Sequence, residues 1–275
     1  MSELVNVVLD AGVLTVTMAR PDRKNAITNA MYGAMADALE RAEGDSEIRA
    51  VLFQGDGDSF TAGNDLADFA AASQGAQGER HVTRFLAKLA AATRPLVAAV
   101  QGNAVGIGTT MLLHCDLVYL ASNARLITPF VNLALVPEAA STYLLPQRIG
   151  YARAYAMFAL GEPVEADTAV AIGLANAVVP LDDLRTKSRA AAEGARQAAA
   201  RLAPAHQGID ARHRQDISAN GARRRDLPGA ADERGGARGL CCLCRASSAR
   251  FFQDCWIGGA GSCHRSNRAG ARQQG

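Results

Sequence analysis

The first 203 residues contain a single cysteine, Cys115, and the chain has no long hydrophobic run. One cysteine cannot form an internal disulfide, and a thiol-poor chain is typical of a reducing compartment. A membrane helix needs about 18 consecutive apolar residues, and no segment approaches that length. The first residues also lack the basic segment and apolar stretch of a secretory signal. We therefore expect a cytoplasmic protein that does not enter a membrane.

Charge and composition change after residue 203. Residues 204–275 contain no lysine, valine, methionine, threonine or tyrosine, but they carry 12 of the 29 basic residues, all arginine, and 6 of the 27 acidic residues. Residues 1–203 are left with 17 basic and 21 acidic residues, a net charge of −4. An acidic surface gives no reason to expect a nucleic acid or an anionic membrane as a partner. His81 and His114 are the only histidines of this part, and no cluster has the spacing of a metal site, so we expect no metal ion.

Hydrophobic periodicity in residues 1–203 alternates between strands and helices. Short apolar runs predict buried strands, and apolar residues three or four apart predict helices. This alternation is typical of an α/β fold in which helices cover a largely parallel sheet. Asp10-Ala11-Gly12 predicts a turn between the first two strands, and Thr28 predicts a helix start. The predicted strands are Val5–Leu9, Val13–Met18, Ala50–Gln54, Leu96–Val100 and Leu117–Ala121, and the predicted helices span 28–43, 79–93, 151–160, 165–172 and 181–202, with a further one ending at His114.

Two glycine-containing loops, Ser59–Leu66 and Gln101–Gly108, each follow a predicted buried strand and precede a helix. Backbone N–H groups at a helix start have no intrahelical acceptor, and glycine leaves room for a ligand, so each loop is suited to bind a negatively charged oxygen. Glycine also simply permits tight turns, and Asp65 would then only cap a helix. The glycine spacing of the second loop, G-x-x-x-G-x-G, differs from the G-x-G-x-x-G of dinucleotide-binding loops.

These loops, together with shorter motifs in a fixed order, resemble the crotonase family, also called the enoyl-CoA hydratase/isomerase superfamily. The resemblance implies a fold of repeated ββα units with a C-terminal helical region that builds a homotrimer or hexamer. It also implies an acyl-CoA thioester as substrate and no cofactor beyond the coenzyme A of that substrate. The matching segments cover about residues 4–203 and are Arg20–Ala26, Phe60–Leu66, Pro95–Gly108, Cys115–Leu117 and Gly173–Pro180.

The site residues also follow from the resemblance. The N–H groups of Asn64 and Ile107 would form an oxyanion hole, which stabilises the enolate formed when a proton leaves C2 of the acyl chain. Coenzyme A would lie across the segment that begins at Lys24 and the first glycine loop. The implied substrate-binding residues are Lys24, Ala26, Thr61, Ala62, Gly63, Asp65, Leu66, Gly106 and Gly108.

The acid–base residues distinguish the reactions of this family. Its hydratases use two glutamates, and matching the motifs places Thr110 and Phe130 at those positions, where neither is a general base at neutral pH. Glu138 follows Pro137, as does the sole catalytic glutamate of the family's Δ3,Δ2-enoyl-CoA isomerases. We therefore predict such an isomerase of fatty-acid degradation, with Glu138 as its base and with a pKa raised by an apolar pocket. The alternatives are an exposed acid at a helix start, a hydratase with altered acid–base residues, and an acyl-CoA-binding relative without turnover.

The segment 204–275 keeps no helical or alternating apolar period, and its composition predicts disorder. Its cysteines at 241–263 do not have the spacing of a standard zinc finger. Residues 236–253 can be back-translated so that the frame shifted by one base encodes a segment like the usual C terminus of the family. We therefore predict a catalytic domain at 1–203 and an aberrant tail at 204–275, produced by a frameshift near residues 200–207.

Overall fold

The computed structural model describes residues 3–68 and 80–202. Its strands are β1 Val5–Asp10, β2 Val13–Met18, β3 Ala50–Gly55, β4 Leu96–Val100, β5 Asn103–Val105, β6 Leu117–Ala121, β7 Arg125–Ile127, β8 Val164–Glu165 and β9 Ala177–Val179. Six of them form one sheet in the order β1-β2-β3-β4-β6-β9. In this sheet β1 and β2 are antiparallel and all other neighbours are parallel. The strands β5, β7 and β8 form a second, smaller sheet.

Helices connect the strands and cover the larger sheet. A π-helical turn continues α5 to Leu160, and short 3-10 turns precede or follow several of the other elements. Among the described residues, none of the helices is long and apolar enough to cross a membrane. The α-helices are α1 Asn29–Gly44, α2 His81–Ala91, α3 Ile107–Thr110, α4 Ser141–Ile149, α5 Tyr151–Tyr155, α6 Ala166–Ala171 and α7 Leu184–Leu202.

Local sequence accounts for the turn between β1 and β2 and for the start of α1. Ala11 and Gly12 form a two-residue turn with φ angles of 45° and 75°, the left-handed pair that lets two strands of a hairpin keep their twist. Thr28 caps α1, since its hydroxyl accepts the N–H of Met31 at 3.3 Å. Asp68 accepts a second free donor, the N–H of Asn29, at 2.8 Å. The predicted turn and the predicted cap are both confirmed.

The two faces of the larger sheet bury separate apolar clusters. Val51 and Phe53 of β3 belong to the larger cluster, to which α1 and α2 contribute, and Phe85 of α2 meets Phe53 edge to face at 6.4 Å. Leu52, between them in sequence, points to the opposite face and packs in a smaller cluster with Leu184 of α7. This alternation within one strand is the expected consequence of side chains that point to opposite faces of a sheet.

The predicted α/β class is confirmed, and all five predicted strands are present with bounds that agree to within one residue. The short strands β5, β7, β8 and β9 were not predicted, because segments of two or three residues carry too little periodicity. Helix α4 was also not predicted, and it contains Pro146, a residue that ordinarily interrupts a helix. The predicted start of the second helix, Glu79, and the whole of 204–275 lie outside the described residues.

Candidate active site

The two glycine-containing loops lie side by side. The N–H of Thr61 donates to the carbonyl of Asn103 at 3.1 Å, and the N–H of Val105 donates to the carbonyl of Thr61 at 3.0 Å. These bonds make a parallel bridge between Thr61 and Ala104. Paired strands in a sheet lie about 5 Å apart. Residues that follow the bridged pair by the same number of positions are therefore expected to be neighbours across the two loops. Asn64 and Ile107 are such a pair, each three residues further along its loop.

Glycine permits this close approach. Gly63 has a φ of +86°, and a Cβ at this position would lie 2.9 Å from the carbonyl oxygen of Val105. A Cβ at Gly108 would lie 2.5 Å from Cγ2 of Thr61. Real Cβ atoms do not approach other heavy atoms so closely, so a side chain at either glycine would separate the loops or distort them. The two loops therefore hold each other in place through backbone contacts.

The N–H groups of Asn64 and Ile107, one in each loop, are the donors that the oxyanion-hole prediction needs. On the outer side of the first loop, Ile27 donates its N–H to the carbonyl of Gly63 at 2.8 Å and accepts the N–H of Asp65 at 3.0 Å. This pattern turns the N–H of Asn64, the residue between them, away from Ile27. Within residues 3–68 and 80–202, neither the N–H of Asn64 nor that of Ile107 donates to a backbone carbonyl. An oxyanion hole needs two such donors, and this role remains a prediction.

The segment around Lys24 packs directly against the first loop. Asn25 is fully buried, and its side-chain amide donates to the carbonyls of Asp56 at 2.7 Å and Ser59 at 2.8 Å. The N–H of Ala62 donates to the carbonyl of Lys24 at 2.8 Å. The segments that the family resemblance assigns to coenzyme A therefore pack against each other.

Asp65 uses its carboxylate within the protein. Arg20 forms an ion pair with it at 2.7 Å and also donates to the carbonyl of Ala26 at 3.0 Å. The other carboxylate oxygen accepts the N–H groups of Ala67 at 3.0 Å and Asp68 at 3.2 Å, so Asp65 is also a helix cap. The hydrogen bond from Arg20 lowers the pKa of Asp65. These contacts tie the two predicted substrate-binding segments together, whereas the neighbouring Leu66 is exposed.

Glu138 is buried, with 4% of the residue exposed. The hydroxyl of Thr110 donates to its Oε1 at 2.8 Å. Burial raises the pKa of Glu138 to about 7, while the bond from Thr110 acts in the opposite direction. The alternative of a solvent-exposed acid at a helix start is therefore wrong, and the predicted rise in pKa is confirmed.

The backbone beside Glu138 adopts an unusual conformation. Ala139 and Ala140 have φ angles of 56° and 52°, in the left-handed region that costs a residue with a Cβ about 1–2 kcal/mol. His114 places Nε2 at 2.8 Å from the carbonyl oxygen of Ala139, so Nε2 carries the hydrogen and donates. The hydroxyl of Ser141 donates to the carbonyl of Glu138 at 2.6 Å. His114 therefore holds the loop, as expected for a packed rather than catalytic histidine, and burial lowers its pKa.

Two further side-chain contacts, made by Thr110 and Tyr32, hold groups of the candidate site. Thr110 lies in α3, one helical turn after Ile107, so a single helix carries one donor and the partner of Glu138. On the other side, the hydroxyl of Tyr32 donates to the side-chain oxygen of Asn64 at 2.5 Å. Burial raises the pKa of Tyr32, and the charge of the Glu138 carboxylate raises it further.

Sequence reasoning did not find the contacts of Thr110 and Tyr32. The only available signal for Thr110 was its position, which a glutamate occupies in the hydratases. Tyr32 lies on the apolar face of α1, where an aromatic residue is ordinarily part of the core. Nothing in the sequence pairs Tyr32 with Asn64, because this contact joins two elements through the fold.

An open cleft of about 550 Å³ lies on the opposite face of the larger sheet, between β3 and α7. Its two arginines are already paired, Arg185 with Asp56 at 3.4 Å and Arg189 with Asp10 at 2.7 Å. Neither Glu138 nor any residue of the two glycine-containing loops lines this cleft, so it is separate from the candidate site. Its lining residues are Thr15, Leu52, Gln54, Arg185, Thr186, Arg189, Ala190 and Glu193.

Comparisons with known proteins agree with this arrangement. A family model described as Enoyl-CoA hydratase/isomerase matches residues 9–226.

Enoyl-CoA delta isomerase 2 of Rattus norvegicus is 37% identical to this chain over 191 residues. These residues cover 68% of this chain and 49% of the rat protein, so the chain spans about half of that relative. The 2,3-dehydroadipyl-CoA hydratase of Escherichia coli K12 is 35% identical over 182 residues, which cover 66% of this chain and 71% of that protein. A crystal structure of an enoyl-CoA hydratase/isomerase from Pseudoalteromonas atlantica T6c has a TM-score of 0.73 at 40% identity and covers 79% of this chain and 86% of that chain. The protein belongs to the enoyl-CoA hydratase/isomerase family, the crotonase superfamily.

Proposed function

We propose that the protein is a Δ3,Δ2-enoyl-CoA isomerase, which moves a carbon–carbon double bond of an acyl-CoA thioester from C3 to C2. The observation that carries this proposal is a buried carboxylate, Glu138, which accepts a hydrogen bond from the Thr110 hydroxyl and, among the described residues, shares no hydrogen bond with a second acid. Phe130, the other position matched to a hydratase glutamate, is buried and packs against Phe158 at 6.0 Å. Isomerisation needs a single group that removes a proton and returns it.

The reaction would begin with the thioester oxygen between the N–H groups of Asn64 and Ile107. The Glu138 carboxylate removes a proton from C2, and the electron pair moves into the thioester to give a dienolate whose oxygen is stabilised by the two donors. Protonated Glu138 then returns the proton to C4, the electrons move back, and the double bond now joins C2 and C3. No atom is gained or lost by the substrate.

The pKa of Glu138 suits both halves of this cycle. A pKa of about 7 leaves roughly half of the side chains ionised at neutral pH, and the same group is acidic enough to return the proton. The Thr110 hydroxyl occupies one oxygen of the carboxylate and so orients the side chain. A carboxylate with the usual pKa would be a weaker base toward a C–H group.

The test is conversion of a 3-enoyl-CoA to the conjugated 2-enoyl-CoA, followed by ultraviolet absorbance. We expect Glu138→Gln to lose activity by at least about 10³-fold while coenzyme A binding is unchanged, because an amide keeps the shape but cannot accept the proton. Glu162→Gln is the matched control, since Glu162 is exposed. Activity of Glu138→Gln within a few-fold of the wild type would refute this assignment.

Hydration of a 2-enoyl-CoA is the second candidate, because a relative with a hydratase name shares 35% identity with this chain. Hydration also needs an acid or base to hold the attacking water, and Thr110 offers only a hydroxyl already bonded to Glu138. The same preparation assayed with 2-enoyl-CoA separates the two: 3-hydroxyacyl-CoA would form only if the protein is a hydratase. Binding of both thioesters without turnover would favour an acyl-CoA-binding protein.

A further inference from the structure

Tyr32 is a buried titratable residue that the proposed reaction does not use. It lies on α1 with 3% of its surface exposed, and its ring packs against Phe85 at a centroid distance of 5.6 Å. A phenolic hydroxyl in an apolar environment is costly unless it forms a hydrogen bond. The hydroxyl of Tyr32 donates to Oδ1 of Asn64, and Asn64 supplies one of the two free N–H groups of the candidate site.

Hydrogen bonds hold Asn64 both through the backbone on either side of it and through its side chain. Its backbone neighbours are fixed by Ile27 through the bonds to Gly63 and Asp65, and its side chain is fixed by Tyr32. The peptide plane between Gly63 and Asn64 therefore has little freedom to rotate, and the direction of the Asn64 N–H is determined. Because Gly63 has no Cβ and a positive φ, the loop on its own would allow this plane more freedom than an ordinary residue would.

We propose that Tyr32 is a positioning residue for the oxyanion hole, and that its hydroxyl holds the Asn64 side chain so that the Asn64 N–H points at the thioester oxygen. This inference rests on the proposed enolate chemistry but not on the position of the double bond. Two other roles compete with it. Tyr32 could contribute only to the core, or it could act directly on the Glu138 carboxylate, whose charge raises the pKa of the phenol.

The first experiment removes only the hydroxyl. We expect Tyr32→Phe to lower kcat of isomerisation about tenfold, since loss of a complete oxyanion donor costs about 10²–10³-fold and here the donor is misdirected rather than removed. KM should stay within about twofold and the melting temperature should be nearly unchanged. Tyr155→Phe is the matched control, because Tyr155 is 38% exposed. An unchanged kcat in Tyr32→Phe would overturn the proposal, and so would a loss that parallels a fall in melting temperature.

A double-mutant cycle identifies the partner. In an Asn64→Ala background the acceptor is gone but the backbone N–H remains, so adding Tyr32→Phe should change kcat less than twofold. An equal loss in both backgrounds would show that Tyr32 does not act through Asn64. The pH profile provides the second discriminator: the acid limb of kcat/KM should keep its midpoint in Tyr32→Phe, whereas a shifted midpoint would assign Tyr32 to Glu138.

A binding assay separates this inference from the proposed function. Acetoacetyl-CoA has an enolate with its own ultraviolet band, and an oxyanion hole should favour this form of the bound ligand. Tyr32→Phe should reduce the enolate fraction several-fold, whether or not the protein isomerises 3-enoyl-CoA. If the wild type shows the band without isomerisation, the proposed function fails and the role of Tyr32 stands. If the band is equal in both proteins, or absent from the wild type, the role of Tyr32 is refuted.

Discussion

The hydrogen bond from Thr110 to Glu138 should set the pH at which the enzyme works. The perturbation is Thr110→Val, which keeps the branched shape and removes the donor. The bond is 2.8 Å long and buried, and it favours the ionised carboxylate. A hydrogen bond to a charged group contributes about 1.5–3 kcal/mol, and one between neutral groups contributes about 0.5–1.5 kcal/mol. The bond therefore stabilises the ionised carboxylate over the neutral acid by about 1–1.5 kcal/mol. Its loss should raise the pKa of Glu138 by roughly one unit.

This rise in the pKa of Glu138 determines how kcat/KM of Thr110→Val should depend on pH. The pKa of Glu138 should rise from about 7 to roughly 8, so the ionised fraction at pH 7 falls from about one half to about one tenth. If the carboxylate is the proposed base, activity is lost below its pKa and recovered above it. We expect kcat/KM of Thr110→Val to be about fivefold low at pH 7 and close to that of the wild type above pH 9.

The assay is the rate of 3-enoyl-CoA isomerisation between pH 5.5 and 9.5. Thr110→Ser is the matched control, since serine retains the hydroxyl, and its profile should follow that of the wild type. An acid limb with an unchanged midpoint in Thr110→Val would refute this reasoning. A loss of the same size at every pH would show instead that Thr110 acts by packing.

Three further predictions concern stability, the loops and the tail. The pKa of Glu138 is raised in the folded state, from 4.5 to about 7, so this group destabilises the fold as pH rises from about 4.5 to 7. Glu138→Gln should therefore be more stable than the wild type by about 3 kcal/mol at pH 8 and about equally stable at pH 4.5, as measured by urea unfolding. Gly108→Ala should lower kcat/KM at least tenfold, because its Cβ would meet Thr61 at 2.5 Å, whereas Gly194→Ala, with open space around it, should leave activity intact. A chain with its reading frame restored after residue 203 should form a more complete trimer and resist protease better than the present chain, as measured by size-exclusion chromatography and limited digestion. A stable, protease-resistant trimer of the present chain would contradict the frameshift hypothesis.

Local sequence determined the main strands and the first helix. The strand Leu96–Val100 was predicted to the residue, since an apolar run between Pro95 and Gly102 has little choice of structure. The start of α1 after Thr28 was equally well determined, because capping is a contact over three residues. The order of the glycine loops and the Pro-Glu motif further identified the family and the candidate base.

The tertiary structure alone decided how the candidate site is assembled. Sequence alone left the exposure of Glu138 open, and only the fold places it beside Thr110, 28 residues earlier in the chain. The strand β5, three residues long, has no period of its own and exists through its pairing with β7. Burial, pKa and the direction of an N–H depend on which distant residues surround a group. A one-dimensional pattern records the kinds of side chain present, whereas their distances are set only when the sheet brings the loops together.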